Sequence, residues 1–346
     1  MPSESTHRLF KIRTLLKTAT ISSDAILASL YLTLGSEQGS LLSFLFHGLF
    51  ESSEEPRSGA LDPQQGVTSE MFGAFIRYFQ ERSYRFVSPD NLLAGLPPAG
   101  RYVLITFDDG YYSTLRALPV LEECDVPAVF FISSDHVKRG KAFWWDVVFR
   151  QFKKRNRTDI EIRQAVANYK RFRTAEVEAD LRKHYGESVM RPVSDLDRPC
   201  TASELRDFAG HRLVFLGNHT KDHAILTNYS PGEIREQIQG GQDAIQQMTG
   251  RIPQIIAYPN GNDSPEILKA AAEAGLSCGM SARPGRNRLP LRFGTLDAMS
   301  MKRFTLWGNY GMEQQCRACR AGLSLYRFVD GIKTGIQTSF SLARPA

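Results

Sequence analysis

Tyr102-Val-Leu-Ile-Thr-Phe107 runs straight into Asp108-Asp109-Gly110, and the reading of this stretch decides the fold. A short continuous apolar run bounded by a turn signal predicts a strand buried on both faces. Gly110 lets the backbone turn sharply after it. A helix is expected next, through Leu115, Leu118 and Leu121, followed by a second buried strand at Ala128-Val-Phe-Phe-Ile132. Strand, helix and strand with continuously apolar strands is the signature of parallel β/α units. Upstream, residues 41–48 read as a buried strand that ends in a histidine, and Met71, Phe72, Phe75, Ile76 and Phe79 recur at helix spacing behind a Thr68 cap. Downstream, the rhythm resumes at Leu213–Leu216, Gln254–Tyr258 and Ser277–Met280, separated by helices over Ile234–Met248 and Pro265–Ala274. Between Phe143 and His211 it breaks. That stretch is dense in Lys, Arg and Glu with helical periodicity, and predicts a helical insertion on an α/β frame.

Composition narrows the class. With 346 residues, 42% hydrophobic and 23% charged, the chain buries a sizeable core and is neither disordered nor fibrous. The net charge of +6 is dispersed, without a basic stripe interleaved with aromatics, so no nucleic-acid partner is expected. Five cysteines, an odd number, make no disulfide framework and fit the cytoplasm. Cys316 and Cys319 have CxxC spacing without a second pair or a nearby histidine, and read as two thiols on a late helix. The first forty residues carry a basic segment and then an apolar run interrupted by Asp24. They read as an amphipathic helix, not a signal peptide, suited to peripheral contact with an anionic membrane. The organisation expected is therefore an N-terminal segment (1–40), a catalytic barrel (41–307) with its insertion at about 144–211, and a C-terminal tail (308–346) packed on the barrel.

Three segments fall at predicted strand ends, where active sites of parallel β/α folds collect. Asp108 and Asp109 are adjacent carboxylates, which share a buried site comfortably only with a cation or a proton; alone, the segment is equally an Asp-Gly turn. His219 and His223 stand four apart, which on one face of a helical turn lets them converge on a metal and, with a carboxylate, leave a position open for water. An isolated HxxxH is weak, but this one follows an apolar strand. Ala257-Tyr258-Pro259-Asn260-Gly261 is a rigid turn that can aim a backbone N–H into the site. A metal-activated water attacking a carbonyl would use all three, with the spare Asp as base.

In this order, Thr106–Gly110, His219–His223 and Ala257–Gly261 resemble the first three motifs of the polysaccharide deacetylases (NodB-homology, carbohydrate esterase family 4). The resemblance runs from about Leu41 to Phe304, with the Trp144–His211 insertion outside the common core. It implies a distorted (β/α) barrel, a divalent metal, usually zinc, and hydrolysis of an N-acetyl group on an amino sugar of a polysaccharide, oligosaccharide or lipid-linked glycan. Carried over, Asp108 is the general base, while Asp109, His219 and His223 hold the metal. The Asn260 N–H helps hold the oxyanion, and Thr220 orients a histidine. Two departures follow. The motif arginine that pairs with the base is replaced by Ala257, and Arg303 is its candidate substitute. No histidine occurs after His223, so the usual C-terminal acid is missing; the exopolysaccharide branch resembles Phe46-His47-Gly48, which makes His47 the candidate acid. Trp144, Trp145 and Tyr258 are candidate sugar-stacking aromatics at the mouth, although the tryptophan pair equally suits an anchor for the insertion. His136 and His184 are expected to be structural or exposed.

Overall fold

The computed structural model describes Ala28, Leu32, Thr33 and residues 36–322. The chain divides into two compact units, Gln38–Met312 and the terminal segments Met1–Glu37 with Glu313–Ala346. The first unit is built on nine strands: β1 (Ser40–Phe46), β2 (Arg85–Phe86), β3 (Arg101–Phe107), β4 (Ala128–Ile132), β5 (Val214–Asn218), β6 (Ile255–Ala257), β7 (Cys278–Met280), β8 (Asn287–Arg288) and β9 (Phe304–Thr305). The main path runs β7-β6-β5-β4-β3-β1-β8, with every pairing along it parallel except β1–β8. Residues 301–305 link β7 to β1. Met301 bridges to Met280 of β7, while Phe304 and Thr305 pair with Phe44 and Leu45 of β1. This is the distorted (β/α) barrel expected. The strands β2, β8 and β9, each of two residues, carry too short a pattern to be legible from sequence.

Alternation along the strands sorts the two faces. Leu41 of β1, Tyr102 and Leu104 of β3, Val129 and Phe131 of β4, Ile255 and Ala257 of β6 share the barrel interior. The opposite rows meet helices. α1 (Ser69–Gln80), capped by Thr68 Oγ1 accepting from the Met71 N–H at 3.2 Å, buries Phe72, Phe75, Ile76 and Phe79. These rings pack on Phe44, Phe46 and Phe107, with the Phe44 and Phe75 centroids 4.8 Å apart. Each such side chain contributes about 1.5–3 kcal/mol by burial. β5 approaches β4 closely enough that a Cβ on Gly217 would lie 2.3 Å from the Phe131 ring, so only glycine fits there.

The insertion is helical, as the composition implies. α2 (Pro89–Ala94) and α3 (Ala117–Cys124) precede β4; then come α4 (Ser134–Arg139), α5 (Trp144–Lys153), α6 (Asp159–Tyr169), α7 (Thr174–Tyr185) and α8 (Ala202–Ala209), all before β5. Trp144, Trp145, Val147 and Val148 pack with Tyr111, Phe143, Val177 and Leu181 in one apolar cluster. Buried Arg150 pairs with buried Asp197. Arg150 Nη1 also donates to the Ala60 carbonyl at 3.3 Å, pinning the loop after β1 to the insertion. α9 (Pro231–Thr249) and α10 (Pro265–Glu273) cover β5–β7 as read from the sequence.

In the terminal unit, Arg320 Nη2 pairs with Glu37 Oε2 at 2.7 Å. Cys316 and Cys319 lie on α11 (Met312–Ala321), the late helix expected. The expected amphipathic helix within residues 1–40 and the tail beyond residue 322 lie outside the described residues, apart from the few named above. No helix among the described residues is long and apolar enough to cross a membrane.

Candidate active site

β1 and β3 are in register at Phe46 and Phe107, which brings His47 and Asp108 side by side at the strand ends. Asp108 continues the inward row of Tyr102, Leu104 and Thr106. A regular strand would then send Asp109 outward. Instead Asp109 takes a left-handed φ of 76° and Gly110 a φ of 89°, so both carboxylates face the same space. Aspartate tolerates this region better than most residues.

The two carboxylates meet different partners. Arg303, between the residues that seal the barrel, is 1% exposed. Its Nη1 and Nη2 donate to Asp108 Oδ1 and Oδ2 at 2.7 and 2.9 Å. Nη1 also reaches Thr106 Oγ1 at 3.1 Å, and Nε donates to the Ser281 carbonyl at 3.0 Å. Burial raises the Asp108 pKa, but the charge of Arg303, with His219 and the hydrogen bonds, outweighs it and holds the carboxyl below its ordinary value. Among the described residues, no arginine pairs with Asp109. His219 Nε2 and His223 Nε2 lie 3.4 and 3.3 Å from its Oδ1, and His47 Nε2 lies 3.9 Å from Oδ2. Burial raises Asp109 too, and those imidazoles hold it well below the carboxylate range.

The histidine pair corrects one expectation. His219–His223 is not a turn of helix but an irregular turn after β5, with Thr220 at φ 63° and His223 at φ 55°. Asn218 Oδ1 accepts from the Thr220 N–H at 2.7 Å, and Thr220 Oγ1 accepts from the Ala224 N–H at 2.8 Å. Thr220 therefore shapes the turn between the histidines; its hydroxyl bonds neither ring. His219 Nδ1 is 2.8 Å from the Ala257 carbonyl, which directs Nε2 to Asp109. The Trp145 ring packs on His223, centroids 4.5 Å apart.

Asp109, His219 and His223 offer ligand atoms within 4.8 Å of one another. Both Asp109 oxygens are buried and accept no aligned hydrogen bond, and His223 Nδ1 is also without a partner. A buried carboxylate with no donor is costly, and a cation held by these three residues would satisfy it. Two histidines and one carboxylate with open positions is the donor set of a catalytic metal. The residues fit a divalent cation.

These groups line a cleft of about 1000 Å³ that also takes in His47, Gln65, Trp144, Trp145, Lys170, Asn260 and Trp307. Asn260 sits at φ 60°, ψ 3° inside its tight turn, with its side-chain Oδ1 accepting from Lys170 Nζ at 2.7 Å. Gln65 Oε1 accepts from the His47 backbone N–H at 2.9 Å and stands 3.1 Å from His47 Nδ1, while Gln65 Nε2 donates to the Leu45 carbonyl at 2.7 Å. His47, Asp108, Asp109, His219, His223, Asn260 and Arg303, all read from the sequence as catalytic or metal-binding candidates, thus line one cleft.

The aromatic expectations divide. Trp144 and Trp145 line the cleft but are buried in the cluster that anchors the insertion. Trp145 Nε1 donates to Tyr111 Oη at 2.9 Å, and Tyr111 Oη donates to Asp146 Oδ2 at 2.7 Å. Tyr258 is not at the mouth: it is buried in a core cluster, with its hydroxyl donating to the Met299 carbonyl at 2.9 Å. His136 is buried and stacked on Phe143, whereas His184 is exposed. Gln65, Lys170 and Trp307 escaped the sequence reading, since each comes from a loop or helix end without a local pattern.

Comparison with known proteins adds an independent line. The family model described as "Polysaccharide deacetylase" matches residues 96–279. The Bacillus subtilis protein YxkH is 22% identical over 224 residues, 63% of this chain; the match spans 60% of the length of that relative. Among solved structures, the Streptococcus pyogenes deacetylase PplD aligns with a TM-score of 0.55 at 16% identity, covering 82% of this chain and 99% of that one. IcaB from Ammonifex degensii aligns at 0.53 and 19% identity, covering 82% and 98%. At such identities the structural likeness speaks to fold.

Proposed function

The chain belongs to the polysaccharide deacetylase family, and from that premise we propose that it is a metal-dependent hydrolase that removes an N-acetyl group from an amino sugar of a glycan. The observation that carries this reading is the pairing of two unlike carboxylates: Asp108 clamped by Arg303, and Asp109 buried without a donor between two histidines.

Asp109, His219 and His223 would hold the cation. A divalent ion on such ligands, zinc by the donor set, supplies Lewis acidity for water and for a developing oxyanion. Asp108 takes the proton of the attacking water. Arg303 keeps that carboxyl ionised and fixes its plane through two parallel bonds. The water oxygen adds to the amide carbonyl carbon, and the Asn260 N–H helps hold the negative charge on the former carbonyl oxygen. The C–N bond then breaks as His47 Nε2 gives a proton to the departing amine, leaving acetate and a free amino sugar. Gln65 sets the His47 tautomer for this step by accepting from Nδ1–H. The cysteine usage supports a cytoplasmic setting.

The test is metal content and acetate release in the wild type and in His223→Ala, Asp108→Asn and His47→Ala. About one zinc per chain is expected, lost in His223→Ala and kept in the other two. Acetate release should fall by ~10²–10⁴ in Asp108→Asn. A protein that takes up no metal on reconstitution, or an Asp108→Asn variant of near-normal rate, overturns the mechanism.

A further inference from the structure

Five residues of one stripe along α6 and its end line the cleft: Asp159, Ile162, Arg163, Val166 and Lys170. Their spacing of three and four residues places them on a single helix face. The insertion therefore presents Ile162 and Val166 with the cations Arg163 and Lys170, about 10 Å apart along the helix, and Asp159, paired with Lys153, at the start of the stripe. We propose that this wall is an anion subsite, so that the amino sugar deacetylated here carries a phosphate or carboxylate held by Lys170 and Arg163. The proposal rests on the deacetylase reading and names the substrate class that the same cleft prefers.

Other cations of the cleft are already committed. Arg303 holds Asp108, Lys153 Nζ is 2.7 Å from Asp159 Oδ1, and Arg57 Nη1 is 2.7 Å from Glu54 Oε1. Among the described residues, neither Lys170 nor Arg163 has a carboxylate in salt-bridge range. Lys170 is surface-exposed, and its ammonium donates to Asn260 Oδ1 at 2.7 Å, where both residues line the cleft. An ammonium has three donors, and one neutral acceptor leaves two of them for a ligand or water. Burial lowers the Lys170 pKa, and the charges of Asp62 and Asp109 oppose that shift without cancelling it. Because Lys170 touches the turn of Asn260, an anion bound there is fixed close to the reacting end of the cleft. A neutral acetamido sugar offers only hydroxyls to such a pair. A phosphate or carboxylate satisfies both cations.

The experiment uses the zinc-loaded full chain and three probes: methyl N-acetylglucosaminide, N-acetylglucosamine 1-phosphate and an N-acetylhexosaminuronic acid. Acetate release gives kcat/KM for each. Calorimetry gives the affinity of the products glucosamine 1-phosphate and methyl glucosaminide. The wild type is expected to prefer at least one anionic probe about tenfold or more, since charge-assisted bonds are worth that much. Which anionic probe leads distinguishes phosphate from carboxylate. The anionic-to-neutral ratio should collapse towards unity in Lys170→Met, fall in Arg163→Met and survive in Lys170→Arg. A wild-type ratio within about twofold overturns the proposal while leaving the deacetylase reading intact. A preference that persists in the Lys170→Met, Arg163→Met double variant also overturns it, since the anion then binds elsewhere, such as on the metal. If no probe releases acetate from metal-loaded protein, the deacetylase reading fails and the calorimetry decides the subsite. Tenfold weaker binding of the sugar phosphate in Lys170→Met sustains it, and unchanged binding removes it.

Discussion

Replacing Arg303 by methionine removes one charge and four hydrogen bonds while keeping most of the side-chain stem. The guanidinium is 1% exposed, so water does not take its place easily. What remains is the Asp108 carboxylate, buried beside Asp109 with its two-pronged partner gone. Breaking a buried pair from one side costs about 3–5 kcal/mol, which for a domain of this size lowers Tm by about 6–10 °C at neutral pH. The pH dependence separates charge from packing. In the wild type the Asp108 pKa is depressed, so the pair adds stability above the unfolded carboxylate pKa and loses it as pH falls through the folded one. In Arg303→Met the burial that raises Asp108 is no longer opposed by the arginine, and its pKa rises. The variant is then penalised at neutral pH and relieved as acid protonates the carboxyl, so the Tm gap between the two proteins narrows on acidification. The acid limb of kcat/KM should move up by the same amount. Thermal melts from neutral pH down to about pH 5, with and without zinc, and a pH–rate profile test this. A Tm gap that stays constant with pH, or an unmoved acid limb, refutes the claim that Arg303 acts through the Asp108 charge.

Chelation should lower the Tm of the zinc-loaded wild type and leave that of His219→Ala unmoved, because that variant has already lost a ligand; equal shifts in both would remove His219 from the metal set. Gln65→Leu should reduce kcat about tenfold or more with metal content unchanged, since His47 loses the acceptor that sets its tautomer; a normal pH–rate profile and kcat would show that His47 needs no such partner. Phe75→Ala should destabilise by about 3–5 kcal/mol in denaturant melts, because its ring meets Phe44, Phe46 and Phe79 in the layer between α1 and the sheet. A loss below about 1 kcal/mol would mean that this layer collapses around the cavity.

The parts of the fold legible in the sequence are those that local pattern controls. Continuous apolar runs mark β1, β3 and β4, and the 3.6-residue recurrence of Phe72, Phe75, Ile76 and Phe79 marks α1. The carboxylate pair was visible because it ends such a run, and the structure adds why both members face one space: the left-handed backbone at Asp109 cancels the alternation of the strand. The histidine spacing was legible but its conformation was not. Four residues apart reads as a helical turn, whereas Asn218 and Thr220 bend the chain through two left-handed positions instead, a device of side-chain to backbone bonds that periodicity does not register.

Arg303 marks the boundary of what a sequence discloses. Nothing around residue 303 predicts a strand, since Phe304–Thr305 is two residues long, and only the resemblance to a family singled the arginine out. Its position follows from closure of the barrel. The chain from Met301 to Thr305 crosses from β7 to β1, and the residue in the middle of that crossing reaches Asp108 from a sequence distance of 195 residues. Ala257, where related chains place the arginine, contributes its carbonyl to His219 instead. The guanidinium is thus delivered to Asp108 from the seam of the barrel, not from the strand that carries the third motif. Moving the charge between strands leaves the carboxylate with the same kind of partner, because a bidentate clamp requires a plane and a distance and is indifferent to the order in which the chain supplies them.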